Sequence, residues 1–327
     1  MHKTPSSCTE KEWLDLLLDK YAVDEIKAMR RFWMDFAMDS ESHLPTPAHG
    51  MHPFWTRLCL GEPIQYVLGK SYFLGKALGV GPGVLIPRPE TEELVEWVLA
   101  DPLIKDVPAN QLDTNVTNFL DLGTGSGCIA LALAHFCAMS EVIALDCEEK
   151  ALQIALCNAN AWGVASRIQF YQADFMLPGW RAPAAKFWVS NPPYIGADEA
   201  ITMEAHVLDY EPSVALFAPG SNPMGVYRAL ISSFLTSPCS ECFWMELNPR
   251  YALQVVGLVD KAYEIRMVKP LADLESNISE VVDQEMCGEF EQLEWTLRRD
   301  MQGYWRMLRI RKKSSALYEN RLPIDFS

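Results

Sequence analysis

Asn191-Pro192-Pro193-Tyr194 follows the apolar run Phe187-Trp188-Val189, and a glycine-rich turn, Asp121-Leu122-Gly123-Thr124-Gly125-Ser126-Gly127, lies upstream of it. The two segments suit two halves of one reaction. Glycines between a strand and a helix permit a tight turn and a close approach of backbone to a nucleotide-like ligand. The Asn191 side-chain oxygen can accept one N–H of a planar NH₂ group, and the Pro192 carbonyl can accept the other. Both prolines fix φ and lack an N–H, so the loop presents carbonyls from a stiff frame, with Tyr194 placed to stack on a flat group. Holding both protons turns the nitrogen lone pair toward an electrophile. The chemistry this implies is in-line displacement of methyl from a sulfonium by an sp² nitrogen. No His or Lys stands in these motifs as a general base, so positioning must carry much of the rate; effective molarity can lower a barrier by roughly 7–11 kcal/mol, and preorganised carbonyl dipoles add to it.

The glycine spacing is GxGxG, which leans away from the GxGxxG of dinucleotide enzymes. Asp146 ends the next apolar run at about the distance, roughly 20 residues, expected of an acid that accepts from ribose hydroxyls. Its other reading is an acid at a helix N-terminus before Cys147-Glu148-Glu149. Asp174-Phe175 follows a third run, where a carboxylate can accept from an adenine amino group and a ring can lie on the base; a turn residue and a core phenylalanine are the alternative.

These residues need a scaffold that brings strand ends together. From Asn118, apolar runs alternate with helical stretches: Phe119-Leu120, a helix from Cys128 to Met139, Val142 to Leu145, a helix from Glu148 to Ala161, Ile168 to Phe170, then Phe187 to Val189. Alternation of this kind predicts an α/β fold with a parallel sheet and helices on both faces. Later helices are expected over Met224 to Leu235 and Pro249 to Lys261, with a strand at Cys242 to Met245. Upstream, Thr9 and Glu12 form a capping box before Trp13, Leu14, Leu17, Leu18 and Tyr21 at helical spacing. A second helix carries Ile26, Met29, Trp33 and Phe36, Pro45-Thr46-Pro47 breaks the chain, and a third runs from Pro53 to Leu60 before Gly61. Tyr66-Val67-Leu68 and Lys70-Ser71-Tyr72-Phe73 read as short β-runs of a hairpin or linker. Pro89 suits the first position of a helix whose first turn holds Glu90 and Glu92, which leaves Arg88 unexplained.

The chain has 327 residues, 49% of them hydrophobic, and a net charge of −15. That charge disfavours a long polyanionic partner such as DNA. The N-terminal residues lack the apolar core of a signal peptide and no apolar run is long enough to span a bilayer, so a soluble cytoplasmic protein is expected. Nine cysteines without a paired metal pattern suit a reducing compartment, and the lone Cys239-Ser240-Glu241-Cys242 reads as structure rather than as a zinc or disulfide site. No metal is expected.

In these motifs the chain resembles the HemK/PrmC-type peptide chain release factor glutamine N5-methyltransferases. Gly61-Glu62-Pro63-Ile64-Gln65-Tyr66-Val67-Leu68-Gly69, Leu85-Ile86-Pro87-Arg88-Pro89-Glu90-Thr91-Glu92, Asp121 to Gly127, Asn191 to Tyr194 and Tyr210-Glu211-Pro212 look like that family's blocks, in order. The resemblance implies a class I Rossmann-like methyltransferase domain over 91–327, a helical substrate-docking domain over 1–75 and a hairpin or linker over 76–90. It implies S-adenosyl-L-methionine as methyl donor, S-adenosyl-L-homocysteine as product, and the glutamine of the Gly-Gly-Gln loop of a release factor as acceptor, with an effect on translation termination. By the same carry-over, Gly123, Thr124, Gly125, Ser126 and Gly127 line the cofactor, with Asp146 on the ribose and Phe175 beside the adenine. Asn191 lies near the reacting methyl, and Asn191, Pro192, Pro193 and Tyr194 hold the glutamine amide. Arg88 and Glu90 are assigned a substrate-facing role. An acidic stretch from about 266 to 294 departs from the family pattern and reads as a surface insertion or partner contact, while the basic run Arg309 to Lys313 reads as a solvated strand end. The competing readings are the same chemistry on a nucleic-acid amine, which needs a basic groove or a base-flipping pocket, a cofactor-binding scaffold without catalysis, and an NAD oxidoreductase.

Overall fold

The computed structural model describes residues 15, 17, 18, 20–38, 53–105, 117–138, 140–264, 278–282, 285–290 and 293–313. The expected capping box at Thr9 and Glu12 and the break at Pro45 to Pro47 lie outside these residues.

Helices α1 (Val23–Met38) and α2 (Pro53–Leu60) come first, and Gly61 closes α2 with φ +96°. Leu17 and Leu58 pack with Ile64 in a small cluster of their own. The expected β-run at Tyr66 to Leu68 is instead helical, α3 (Ile64–Leu68). Three apolar residues carry no period that separates strand from helix. The flanks decide: Pro63 enters at φ −55°, and Gly69, left-handed at φ +67°, donates back to the Gln65 and Tyr66 carbonyls. The hairpin β1 (Lys70–Phe73) and β2 (Lys76–Gly79) follows, turned by Leu74 and Gly75, both at positive φ. Glu92 accepts from the Leu74 N–H at 2.9 Å and so ties this turn to helix α4 (Pro89–Ala100), which is followed by the single turn α5 (Pro102–Lys105).

The remaining chain builds one nine-stranded sheet. In chain order it holds β3 (Thr117–Leu122), α6 (Cys128–Phe136), β4 (Val142–Asp146), α7 (Glu149–Ala161), β5 (Ile168–Gln172), β6 (Ala185–Ser190), α8 (Ala205–Tyr210), α9 (Ser213–Leu216), α10 (Pro223–Thr236), β7 (Cys242–Glu246), α11 (Ala252–Glu264), β8 (Ile278–Val282), β9 (Glu285–Phe290), β10 (Leu293–Arg299) and β11 (Trp305–Lys312). The strand order is β5-β4-β3-β6-β7-β11-β10-β9-β8. Strands β3 to β7 are parallel, and β11, β10, β9 and β8 join antiparallel, so the sheet is mixed rather than wholly parallel.

Period-2 alternation divides the strands between two cores. Phe119, Val142, Ala144, Phe187, Val189 and Trp244 face α4, α6 and α7. Leu120, Ile143, Leu145, Trp188, Phe243 and Met245 face α10 and α11. Every residue of β4 and β7 is buried, as sheets covered on both faces require.

Two readings of the C-terminal region change. Part of the acidic stretch forms β8, β9 and the start of β10, so that it extends the sheet; the rest of it lies outside the described residues. Only part of the basic run is a solvated end: Arg311 and Lys313 keep their exposure, whereas Arg309 and Lys312 are taken up by the fold. Arg309 Nη1 stands 2.7 Å from Asp101 Oδ2, and the buried Lys312 ammonium donates to the Ser237 carbonyl and Ser240 Oγ at 2.7 and 2.8 Å.

The order of the parallel strands reverses between β3 and β6. A crevice therefore opens beyond their carboxyl ends, where open α/β sheets bind ligands, and both signature loops leave the sheet at this point.

Candidate active site

The glycine turn leaves β3 and enters α6. Gly123, Gly125 and Gly127 all hold positive φ, at +77°, +55° and +85°. They serve two purposes. A Cβ on Gly125 would meet nothing within 4 Å, since it would point into the cleft; a Cβ on Gly127 would stand 2.6 Å from Leu131 Cδ1 and 3.0 Å from Ala155 Cβ. Gly127 is thus set by the packing of α6 on α7 and does not line the cleft, whereas Gly123, Thr124, Gly125 and Ser126 do.

Asp146 closes the cleft at the end of β4, where its carboxylate accepts from the Gly125 N–H at 2.8 Å and the Glu148 N–H at 2.9 Å. It caps the turn before α7 and it lines the cleft. Burial raises its pKa, against the pull of those two N–H groups. Asp121 is fully buried behind the turn. Its Oδ2 accepts from the Thr124 hydroxyl at 2.6 Å and the Ala130 N–H at 3.1 Å, while Oδ1 has no partner among the described residues. Desolvation pushes this carboxyl up to about 7. Asp174 and Phe175 line the same cleft; Asp174 also accepts from the Met176 N–H at 2.8 Å, and the Phe175 ring packs edge-on against Trp180.

This donor and acceptor set suits an adenosyl cofactor. It offers a carboxylate at the end of the second strand, an aromatic and a second carboxylate beyond the third, and a floor of backbone with open space above Gly125.

A second cleft adjoins the first. Arg88, Pro192 and Tyr194 line it with residues of the segment between Ile195 and Val207, while Pro193 lines the first cleft instead. Leu85, Asn191 and Ala215 line both clefts. Asn191 therefore stands where the two meet. Its Nδ2 donates to Thr91 Oγ1 at 2.9 Å, Thr91 donates to Glu246 Oε2 at 2.7 Å, and Tyr194 donates to Glu246 Oε1 at 2.7 Å. Burial raises the Glu246 carboxyl, offset by these two hydroxyls and by Arg306. Burial and the Glu246 charge keep the Tyr194 phenol protonated.

The loop is held along its length. Ser190 Oγ donates to the Leu122 carbonyl at 2.7 Å, Ile195 bridges to Phe217, and Asn248 Nδ2 reaches the Tyr194 carbonyl at 3.2 Å. The Tyr194 ring is thus committed at its hydroxyl end to Glu246, which limits the stacking role expected of it to the face that lines the cleft.

Arg88 also acquires a partner. Its Nη2 lies 2.6 Å from Glu211 Oε1, so it shapes the wall of the second cleft through an ion pair. Glu90 lines neither cleft; it accepts from Gln302 Nε2 at 3.3 Å in the β10–β11 turn.

Sequence reasoning missed three contributors. Thr91 carries no role of its own in the sequence beyond its place in the Leu85 to Glu92 block. Glu246 carried a signal, being the one acid in an otherwise apolar, fully buried strand. Asn158 of α7 binds the Gly79 N–H and carbonyl and the Ser126 carbonyl, joining the hairpin to the glycine turn, with no sign of this in its local pattern.

Residues 103–210 match the methyltransferase small domain family. The chain is 36% identical over 220 residues to a release factor glutamine methyltransferase of Bacteroides thetaiotaomicron, covering 66% of this chain and 74% of that protein. It is 42% identical over 225 residues to the protein of the same name from Chlorobaculum tepidum, covering 67% of this chain and 74% of that one. A solved structure of a human methyltransferase 10 domain containing protein aligns with a TM-score of 0.45 at 14% identity, over 72% of this chain and 90% of that one.

Proposed function

The chain belongs to the release factor glutamine methyltransferase family, and from that premise we propose that it methylates N5 of the glutamine in the Gly-Gly-Gln loop of a peptide chain release factor. The observation that carries this reading is the position of Asn191, which lines both the cofactor cleft and the adjoining cleft. S-adenosylmethionine, when bound, supplies a methyl group on a positively charged sulfur.

The protein's own residues do the rest. Gly123 to Ser126 and Asp146 hold the nucleoside end, with Asp174 and Phe175 toward the base. Because Asn191 Nδ2 is occupied by Thr91, its amide oxygen is the end left to accept an N–H of the incoming glutamine amide. The Pro192 carbonyl accepts the other N–H. Two fixed acceptors favour the charge that develops on nitrogen during attack, and they cost no reorganisation because the loop is pinned beforehand. The extra proton passes to water after transfer, when the nitrogen has lost its amide stabilisation and become strongly acidic.

The same reading makes the release factor the protein partner, through the helices of the N-terminal region, and places the reaction in the cytoplasm with no nucleic-acid substrate. The net charge of −15 supports a protein over a nucleic acid. Among the described residues no helix is long and apolar enough to cross a membrane.

Mass spectrometry tests this reading directly. Incubation of the protein with S-adenosylmethionine and a release factor is expected to add one methyl to the Gly-Gly-Gln glutamine. Transfer to DNA or RNA in parallel, with none to the factor, would replace the reading with the nucleic-acid one.

A further inference from the structure

We propose that Thr91 and Glu246 are positioning residues that set which end of the Asn191 amide faces the substrate, through the chain Glu246 to Thr91 to Asn191. The proposal rests on the function assigned above and adds the device that orients its central residue.

Hydrogen-bond polarity sets the orientation. A carboxylate can only accept, and Glu246 is buried with one hydroxyl on each oxygen, Thr91 on Oε2 and Tyr194 on Oε1, both at 2.7 Å. A hydroxyl has one proton. Once Thr91 spends it on Glu246, its oxygen can only accept from the Asn191 side chain, so the NH₂ end of that amide must face Thr91 at 2.9 Å. The amide oxygen is then turned the other way. With the amide reversed, Asn191 would offer N–H to the N–H of a glutamine amide, two donors facing each other.

The placement of the members supports this. Thr91 sits in the first turn of α4, Glu246 at the end of β7 and Asn191 just past β6, so three elements converge on one chain of bonds. Thr91 is buried at 2% exposure and Glu246 at 1%, so the bond between them is shielded from water. The same carboxylate holds Tyr194, so both ends of the Asn191–Tyr194 loop answer to one group.

Thr91→Val, Thr91→Ser and Glu246→Gln proteins test the proposal, compared with wild type in methyl transfer to a release factor and in binding of S-adenosylhomocysteine by calorimetry. Valine keeps the shape of threonine and removes the hydroxyl. Thr91→Val is expected to lower kcat about 10- to 100-fold, with a much smaller change in cofactor affinity and in KM for the factor. Thr91→Ser is expected to recover most of the loss, and the Thr91→Val/Glu246→Gln double variant to lose less than the two single losses combined, as members of one chain should.

A second measurement does not depend on turnover. In ¹⁵N-labelled protein the Asn191 side-chain NH₂ signals, identified by their loss in Asn191→Asp, are expected to be protected from exchange in wild type and Thr91→Ser, and fast-exchanging in Thr91→Val. Unchanged protection in Thr91→Val overturns the proposal, as does a Thr91→Ser protein as impaired as Thr91→Val, which would assign Thr91 to packing alone. A wild-type protein that transfers no methyl to the factor would sink the functional reading, and the amide signals would then decide the orienting role by themselves.

Discussion

Arg88 Nη2 lies 2.6 Å from Glu211 Oε1, joining two sequence blocks that are 123 positions apart. The second oxygen of Glu211 accepts from the Ile86 N–H at 3.1 Å, so one buried carboxylate fastens both the side chain and the backbone of the loop before α4. This bond fixes one wall of the cleft that borders Asn191 and Tyr194.

Loss of Arg88 should therefore loosen that wall. Glu211 is 1% exposed at its side chain while Arg88 is 32% exposed, so water replaces the guanidinium only in part. Arg88→Met is expected to cost about 1–2 kcal/mol, less than the 3–5 typical of a fully buried pair. Urea unfolding reads the stability, and steady-state kinetics should show a higher KM for the protein substrate with cofactor affinity preserved. A fall in cofactor affinity equal to the rise in KM would contradict the assignment.

The glycines of the turn should fail in different ways. Gly127→Ala drives a Cβ into Leu131 and Ala155 at positive φ, and is expected to destabilise the fold by about 2–4 kcal/mol. Gly125→Ala has room in the folded protein and carries only the cost of its positive φ, about 1–2 kcal/mol. Its methyl occupies the cleft, so cofactor binding should suffer most. Calorimetric titration beside thermal melting separates the two: Gly127→Ala is the less stable protein, Gly125→Ala the weaker binder.

Burial raises Asp121 to about 7 from a usual carboxyl value near 4. Between those values the folded protein keeps a proton that the unfolded chain releases, so rising pH lowers stability across the window. The contribution is fully present below about pH 4 and is lost by the time pH passes about 7. Asp121→Asn removes this dependence. The stability of wild type relative to Asp121→Asn is expected to fall from pH 5 to pH 7.5, as measured by urea unfolding at each pH. A difference that stays constant would show that Asp121 is already ionised in the fold at pH 5.

Asn191→Ala should lower kcat far more than it weakens cofactor binding, because the amide oxygen acts on the acceptor as charge develops there. Single-turnover transfer and calorimetry on the same protein give the two quantities. Equal losses in both would reassign Asn191 to cofactor binding.

Much of this protein is readable from local sequence. The alternation of apolar and helical stretches from Asn118 announces the parallel half of the sheet, because side-chain period follows backbone geometry residue by residue. The glycine turn, Asp146, Asp174, Phe175 and the Asn191 loop are recognisable because their chemistry sits at strand ends, and strand ends in such a sheet share one edge. Local sequence misplaced Tyr66 to Leu68, where too few residues lie between Pro63 and Gly69 for a period to show. It also reads Arg309 and Lys312 as solvated, since their charge conceals that Asp101, Ser237 and Ser240 receive them inside the fold. Tertiary structure alone decided the links between distant residues: Thr91 with Glu246 across 155 positions, Asn191 with Thr91 across 100, and Asn158 with Gly79 across 79. A hydrogen bond depends on where two elements meet in space, and no local pattern along the chain encodes that meeting. The amino-acid sequence determined which groups are available for the chemistry; the packing of α4 against β7 decided that Thr91 stands between Glu246 and Asn191.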